Sequence, residues 1–397
     1  MHLVSFEDRY HKSFYPISAT RFVGDLRCGI MKLRQRLEYL FASDESSSVI
    51  INPCLVDLYQ HRHPDWQINE LPKGAKLYVN TRLRITDESI MEVKKLKLNQ
   101  ALMSGQQIAA LCTKQPLSFG FELPSGIEIR ATQLPLYEHL AELVHDNARM
   151  ITWDFEHVFY EEDNYYDTEP GVQVLNPYNI WLAEDVQLAP NVVLDASEGP
   201  IVIDSGAKVM AGSVLCGPVY IGKKSLIKIS AKIYGGVSIG PVCKVGGEVE
   251  GSIFQAYSNK QHDGFLGHAY IGEWVNLGAD TNNSDLKNTY KNVKYYNYMS
   301  DTLMDSGSQF MGCIIGDHSK TGINTSLNTG LVIGCGCNLY GPALFSGFIR
   351  DFSWGEAASL TKYRLQAFCD TAEIVKQRRN LELAKAERDL YRLLSGE

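Results

Sequence analysis

Through the middle of this sequence an aliphatic residue recurs at every sixth position, and no other feature restricts the fold so sharply. From Ile203 the run continues through Val209, Leu215, Ile221, Ile227, Ile233, Ile239 and Val245. The same beat occurs upstream at Ile180, Val186 and Val192. Downstream it returns as Phe265, Ile271 and Leu277, then as Ile315, Thr321, Leu327, Ile333, Leu339 and Phe345. A period of six matches neither the 3.6 of a helix nor the 2 of an ordinary strand. It fits a triangular coil of three short strands, each sending one aliphatic side chain into the prism, with small residues or Gly turning the corners. The expectation is a left-handed parallel β-helix of the hexapeptide-repeat kind over residues 180–345.

Two interruptions break the beat. Val245 and Phe265 lie 20 residues apart, two more than three hexads, which predicts that Val245 stacks under Phe265 with a bulge near residues 257–262. Between Leu277 and Ile315 runs a polar and aromatic excursion without any period. A solenoid accepts such insertions as outer loops, and those loops commonly carry binding.

The N-terminal third of the chain follows another pattern. Apolar runs at 48–51 and 76–79 read as buried strands, and 29–41 and 87–96 read as helices, which together predict an α/β unit with a mainly parallel sheet. Residues 134–158 carry Leu136, Leu140, Leu143 and Val144 at helical spacing and predict a linker helix, followed by an acidic, tyrosine-rich stretch at 160–169. The tail, 355–394, has a helical pattern that caps the solenoid or packs on a neighbour.

Composition narrows the function. A net charge of −8 argues against a general nucleic-acid coat, although six lysines face the single acid Asp204 between Ile201 and Val245. Nine cysteines show no paired zinc spacing; Cys335 and Cys337 form the one close pair. His61 and His63 lack a third ligand nearby. No leader segment and no apolar run long enough to span a membrane is visible, so the sequence reads as a cytoplasmic protein with reduced thiols and no membrane or nucleic-acid partner.

The richest chemistry lies beside the first interruption, where Glu248, Glu250, His262 and His268 gather. A histidine serves as a general base near neutral pH, and a carboxylate that fixes its tautomer raises its basicity. His262 is the candidate base and Glu248 its candidate partner, on neighbouring faces of adjacent coils. A surface histidine in a loop is the plainer alternative.

The segments Gly246-Gly-Glu-Val-Glu250, Ser258-Asn-Lys-Gln-His-Asp-Gly-Phe-Leu-Gly267, Gly272-Glu-Trp-Val-Asn-Leu-Gly-Ala279 and Gly316-Asp-His-Ser-Lys-Thr-Gly322 resemble a variant branch of the bifunctional bacterial enzymes that make UDP-N-acetylglucosamine. Those enzymes join an N-terminal uridylyltransferase to a β-helical glucosamine-1-phosphate N-acetyltransferase. The resemblance is strong over about 200–350 and weaker before it. It implies a nucleotidyltransferase-like α/β domain at 1–133, a linker helix and connection at 134–175, an acyltransferase-like β-helix at 176–350 and a helical tail at 351–397.

By the same resemblance His262 stands where the acetyltransferase base lies and Glu248 where its carboxylate partner lies. Lys232 replaces a phosphate-binding arginine, Phe265 a tyrosine packed on the sugar, Asn276 matches a sugar-contacting asparagine, and Ala279 a position touching acetyl-CoA. The implied cofactor is acetyl-CoA, the substrate an amino-sugar phosphate, and the assembly a homotrimer with the acyl-CoA groove between prisms. Two departures stand out: Glu250 occupies the place of a second cationic phosphate ligand, and Phe265 lacks the hydroxyl.

The N-terminal region departs further from the resembled family. Its glycine-rich phosphate loop is absent, replaced by Phe6-Glu-Asp-Arg9 with Arg21 and Arg27 following as candidates for phosphates. Asn80 or Thr81 stands where a magnesium-binding Asp is expected, so Mg²⁺ and UTP are the cofactors only if that site turns over. Two other readings stay open: a sugar-1-phosphate nucleotidyltransferase whose β-helix serves assembly or regulation, and a non-catalytic sugar-nucleotide-binding protein.

Overall fold

The computed structural model describes residues 1–42, 47–160, 164 and 170–397. The tyrosine-rich stretch at 160–169 therefore lies, apart from Tyr160 and Asn164, outside the described residues.

A seven-stranded sheet organises the N-terminal unit. Its strands are β1 (His2–Phe6), β2 (Ser47–Ile50), β3 (Gln67–Ile68), β4 (Lys76–Asn80), β5 (Gln100–Ser104), β6 (Gln107–Thr113) and β7 (Glu128–Thr132), in the order β3-β2-β1-β4-β6-β5-β7. The expected parallel pairing holds from β3 to β4. Only β6 runs the other way, antiparallel to both β4 and β5, and the edge pair β5–β7 is again parallel. A tight turn with Gly105 at φ +58° folds β6 back on β5, and glycine enters that left-handed region at little cost. Helices α1 (Leu33–Phe41), α2 (Val56–Arg62) and α3 (Asp87–Lys94) accompany the sheet.

Helix α4 (Leu140–Asp154) carries the chain toward the second unit. Leu140, Leu143, Val144 and Ile151 face apolar neighbours, as their three-and-four spacing requires. On its polar side Asn147 accepts the Gly29 N–H at 2.6 Å and donates to the Gly236 carbonyl at 2.8 Å. Asp154 receives Arg36 through two bonds of 2.7 Å with both groups buried, so this charge is fully compensated.

The second unit is the left-handed prism that the six-residue beat predicts, with strands stacked in parallel on three faces. Its register corrects the sequence reading in two places. The first coil is centred on Leu182, Leu188 and Leu194, which pair with Ile203, Val209 and Leu215; these lie two residues beyond the expected Ile180, Val186 and Val192. Val245 pairs with Lys260, not Phe265, while Phe265 pairs with Glu248 and Leu266 takes the inward place above Val249. The inward residues Val245, Val249 and Phe254 come closer together than the six-residue beat allows. Coils shorten at this point, and a counting rule that assumes three full hexads per coil drifts out of phase.

The excursion after Leu277 contributes one strand to the prism at Asn282–Asn283 and then projects as an antiparallel hairpin, Lys294–Asn297 with Thr302–Asp305. Its tip meets the N-terminal unit: Asn297 donates to the Ser13 carbonyl at 3.4 Å, and the Tyr298 ring lies 5.6 Å from that of Tyr15. The tail forms a hairpin, Ser353–Glu356 with Ser359–Lys362, then helices α5 (Leu365–Gln377) and α6 (Lys385–Ser395). It packs against the prism and the N-terminal unit of the same chain: Phe368 meets Phe352, and Arg62 of α2 ion-pairs with Glu387 at 2.9 Å.

Candidate functional site

His262 stands on an edge of the prism, two residues beyond Lys260. Lys260 fills an inward place that aliphatic residues hold in other coils, and it is 1% exposed. Its ammonium is not left bare. It donates 3.0 Å bonds to the carbonyls of Gly246 and of His262 itself, so a buried cation pins the backbone that carries the candidate base. Burial drives the Lys260 pKa down to about 8, against the opposing pull of Asp263 and Asp280.

One coil further on, Ala279 occupies the matching position beyond Leu277. The stacking is fixed by the Asn259–Asn276 bridge and by the Asp280 N–H donating to the Asp263 carbonyl at 3.1 Å. His262 and Ala279 line one cavity of about 360 Å³, together with Lys228, Ile229, Gly247, Gln261 and the two acids Asp263 and Asp280. Ile229 and Ile323 lie on the same edge and are 62% and 68% exposed. The edge thus offers an ionisable imidazole, small residues that leave room for a chain, and apolar side chains open to solvent.

The other residues singled out in the sequence fall in several places. Glu248 shares a ladder with Lys232 and Phe265 on successive coils, and its carboxylate approaches Lys232 at 3.9 Å. Among the described residues no hydrogen bond joins Glu248 to His262. Asn276 lies on the next face, in a neighbouring pocket that shares only Gln261 with the His262 cavity. Glu250 is exposed beside Gly267, and Lys260 of the same region points inward, away from it.

Sequence reasoning missed the histidine that does have a carboxylate partner. His268 Nδ1 lies 2.8 Å from Asp285 Oδ2, and its ring tilts against Phe310 at 5.3 Å. The separation of His268 from Asp285 is one coil of this shortened region, a signal readable only once the coil length is known. His318, near the long loop, is buried between Trp274 and the rings of Phe368 and Tyr391; burial holds its pKa well below the usual value.

Arg21, Arg27 and Asn80, the candidates for nucleotide binding, are not brought together. Arg21 and Thr20 both donate to Asp317 of the prism, Thr20 at 2.7 Å, and Glu273 lies 3.5 Å from Arg21. The Arg27 backbone N–H donates to Tyr270 at 2.9 Å, and its guanidinium lies 5.1 Å from the Tyr220 ring centroid. Both arginines fasten the N-terminal unit to the prism. Asn80 donates to Asp8 at 2.9 Å and to the Ile108 carbonyl at 3.0 Å.

At the end of β1 a cavity of about 270 Å³ is lined by Glu7, Asp8, Arg9, Gln107 and neighbours. Its donors do not fit a magnesium ion. Glu7 accepts backbone N–H groups of Val23 and Asn52, and Asp8 accepts Arg82, Asn80 and the Tyr10 N–H. Mg²⁺ needs carboxylate oxygens free to complete an octahedron. Among the described residues no group of three or more His, Cys, Asp or Glu side chains is placed to hold a metal. His63 stacks on Trp66 at 3.9 Å rather than turning with His61 toward an ion.

An α/β unit with a parallel sheet core is thus joined to a hexapeptide β-helix whose edge carries a histidine groove. Residues 3–161 match the family described as sugar nucleotidyl transferase. Parts of the chain are similar to bifunctional sugar-1-phosphate nucleotidyltransferase/acetyltransferases. It is 33% identical over 109 residues to the bifunctional sugar-1-phosphate nucleotidylyltransferase/acetyltransferase of Sulfurisphaera tokodaii, covering 28% of this chain and 26% of that one. It is 25% identical over 254 residues to the bifunctional protein GlmU of Bartonella quintana, covering 60% and 49%. Against GlmU of Acaryochloris marina it is 25% identical over 184 residues, covering 41% and 36%. The chain spans between about a quarter and a half of the length of these relatives.

Among solved structures, the UDP-N-acetylglucosamine acyltransferase from Campylobacter jejuni is similar with a TM-score of 0.23 and 17% identity, over 56% of this chain and 82% of that one. The polysialic-acid-specific acetyltransferase NeuO is similar with a TM-score of 0.28 and 11% identity, over 55% and 90%. Scores this low carry no weight for substrate or mechanism, and the prism is established by its strand pairings. Among the described residues no helix is long and apolar enough to cross a membrane.

Proposed function

We propose that this protein transfers an acetyl group from acetyl-CoA to the amine of an amino-sugar phosphate, with His262 as general base. The observation that carries the reading is the shared groove of His262 and Ala279, where Ile229 adds an apolar wall and Lys228 a cation beside Asp263 and Asp280. These residues fit the arm of a CoA thioester: Gly247 and Ala279 leave space, and Ile229 offers apolar contact. Acetyl-CoA, when bound, supplies an acyl group activated by its thiolate leaving group.

The residues of the chain do the rest. A sugar ammonium must lose a proton before its nitrogen attacks the thioester carbonyl. That first proton leaves to solvent; His262 accepts the second, from the attacking amine, as the C–N bond forms, and returns it to the CoA sulfur as the C–S bond breaks. Lys260 holds the His262 carbonyl and so fixes where the ring starts from. Glu248 stands one coil away, its carboxylate toward Lys232 at 3.9 Å, and is assigned a supporting role only. We place the acceptor groove between neighbouring prisms of a homotrimer, because Ile229 and Ile323 leave apolar surface open on the same edge. The reading is tested by measuring CoA release with a panel of amino-sugar phosphates in the wild type and in His262→Ala.

A second reading concerns the N-terminal unit, favoured by the match over residues 3–161 and by the cavity at the end of β1. In it this cavity binds a sugar nucleotide, with Arg9 and Gln107 offering donors. No metal-dependent transfer step is assigned, since Asp8 and Glu7 are already engaged.

A further inference from the structure

Four cationic side chains converge where the last turn of α5 meets the outer face of the prism. Lys244 and Lys320 come from the prism, and Arg378 and Arg379 from the chain just beyond α5, around a cavity of about 260 Å³. Among the described residues no carboxylate lines it. Asn259 and Asn276 complete the polar wall, and Gln261 joins it to the His262 groove.

The neighbouring cavity makes the contrast. That space, about 710 Å³ between the N-terminal unit, the prism and the tail, also contains several cations. There Arg21 is met by Asp317 and Glu273, Arg62 and Lys376 by Glu387, and Lys32 by Asp25. Its charges are settled within the protein. In the smaller pocket they are not. Among the described residues the Arg379 side chain hydrogen-bonds Asn259 alone, at 3.4 Å, and its buried Nε has no hydrogen-bond partner. Burial lowers the Lys244 pKa, and Arg379, Arg378 and Lys228 lower it further. A fold that gathers like charges and buries an unpaired guanidinium nitrogen is incomplete without an anion.

We propose that this pocket binds a phosphate-bearing ligand, whose phosphoryl oxygens are held by Lys244, Lys320, Arg378 and Arg379. Paired guanidinium and ammonium donors suit the several oxygens of a phosphate group. The ladder that the resemblance assigns to a substrate phosphate does not compete: Lys232 is engaged by Glu248, and Glu250 is an acid. The pocket therefore supplies the phosphate recognition that the ladder lacks, and α5 becomes part of the binding site. Phosphate binding here stands on these side chains alone; only its assignment to a ligand of the acyl-transfer groove rests on the proposed function.

The test uses the full chain and inorganic pyrophosphate, by isothermal titration calorimetry. Wild type is expected to bind it, and Lys244→Gln/Arg379→Gln to bind at least tenfold more weakly. The variant should melt at the wild-type temperature without the anion and lose the rise in Tm that pyrophosphate gives the wild type. Arg378→Gln, at an exposed position, repeats the measurement without touching buried packing. Competition distinguishes the sources. Displacement of pyrophosphate by glucosamine 1-phosphate marks the pocket as the sugar-phosphate end of the groove, and displacement by CoA marks it as the cofactor end. Equal affinity in wild type and both variants, or no binding by wild type at millimolar pyrophosphate, overturns the proposal; displacement by neither compound overturns the pocket's assignment to the acyl-transfer groove. None of these readouts needs turnover, so a failure of acetyl transfer does not mimic them.

Discussion

His262 and Ala279 stand one coil apart on the same edge of the prism, each two residues beyond the residue that fills the interior, Lys260 in one coil and Leu277 in the next. Their separation along the chain is a single turn of the shortened solenoid. A methyl group at 279 leaves the groove open, and a larger side chain fills it. Ala279→Leu is expected to raise the KM for acetyl-CoA about tenfold or more while leaving Tm within a degree or two, since the site is at the surface. Unchanged KM in a protein that turns over would place the acyl donor elsewhere.

Lys260 sets up a pH dependence with a definite sign. Its folded pKa of about 8 lies below the ordinary lysine value. Between those two values the unfolded chain holds more protons than the folded one, so this group makes stability rise with pH across that window. Below about pH 8 both states are charged and the full burial penalty applies. Lys260→Met should therefore raise Tm at pH 7 and remove the extra rise between about pH 8 and 10. It should also lower acetyl transfer, because the His262 carbonyl loses its anchor. Parallel Tm-against-pH curves for the two proteins would contradict the placement of this ammonium.

The solenoid was legible in the sequence because its interior obeys a repeat that any counting exposes, from Ile203 to Val245. The shortened coils were not. Lys260 is the residue that shows why: a lysine reads as surface, yet its stem suits the interior once the Gly246 and His262 carbonyls receive its ammonium. His262 was read from the local cluster of acids and histidines, and Ala279 from a resemblance in local motifs; neither depends on register. The roles of Arg21 and Arg27 were hidden because their partners, Asp317, Tyr270 and Tyr220, belong to the prism and lie far along the chain.

Arg21 offers a stability test that a nucleotide-binding role would not predict. Removing it leaves Asp317 buried with its charge uncompensated, and burial already raises that carboxyl's pKa. Breaking a buried pair from one side costs about 3–5 kcal/mol. Urea unfolding of Arg21→Ala should show a loss of that order. A loss within about 0.5 kcal/mol, the range of ordinary surface substitutions, would argue against the buried pair.

The assembly makes its own prediction. Light scattering should give about three times the 44.5 kDa chain mass at micromolar concentration. Ile229→Asp with Ile323→Asp should give the single-chain mass and lower acetyl transfer with it. A wild-type monomer would remove the neighbouring prism from the account.

The central claim is that His262 is the base for acetyl transfer. The direct measurement is kcat for CoA release from acetyl-CoA with an amino-sugar phosphate, in wild type and His262→Ala, alongside acetyl-CoA binding by calorimetry. General-base assistance is worth about 10²–10⁴-fold, so kcat should fall by that factor while acetyl-CoA affinity stays within about twofold. Glu248→Gln should lose less. If acetyl transfer is present and His262→Ala turns over at the wild-type rate, the base lies elsewhere, and the His268–Asp285 pair is the next to test.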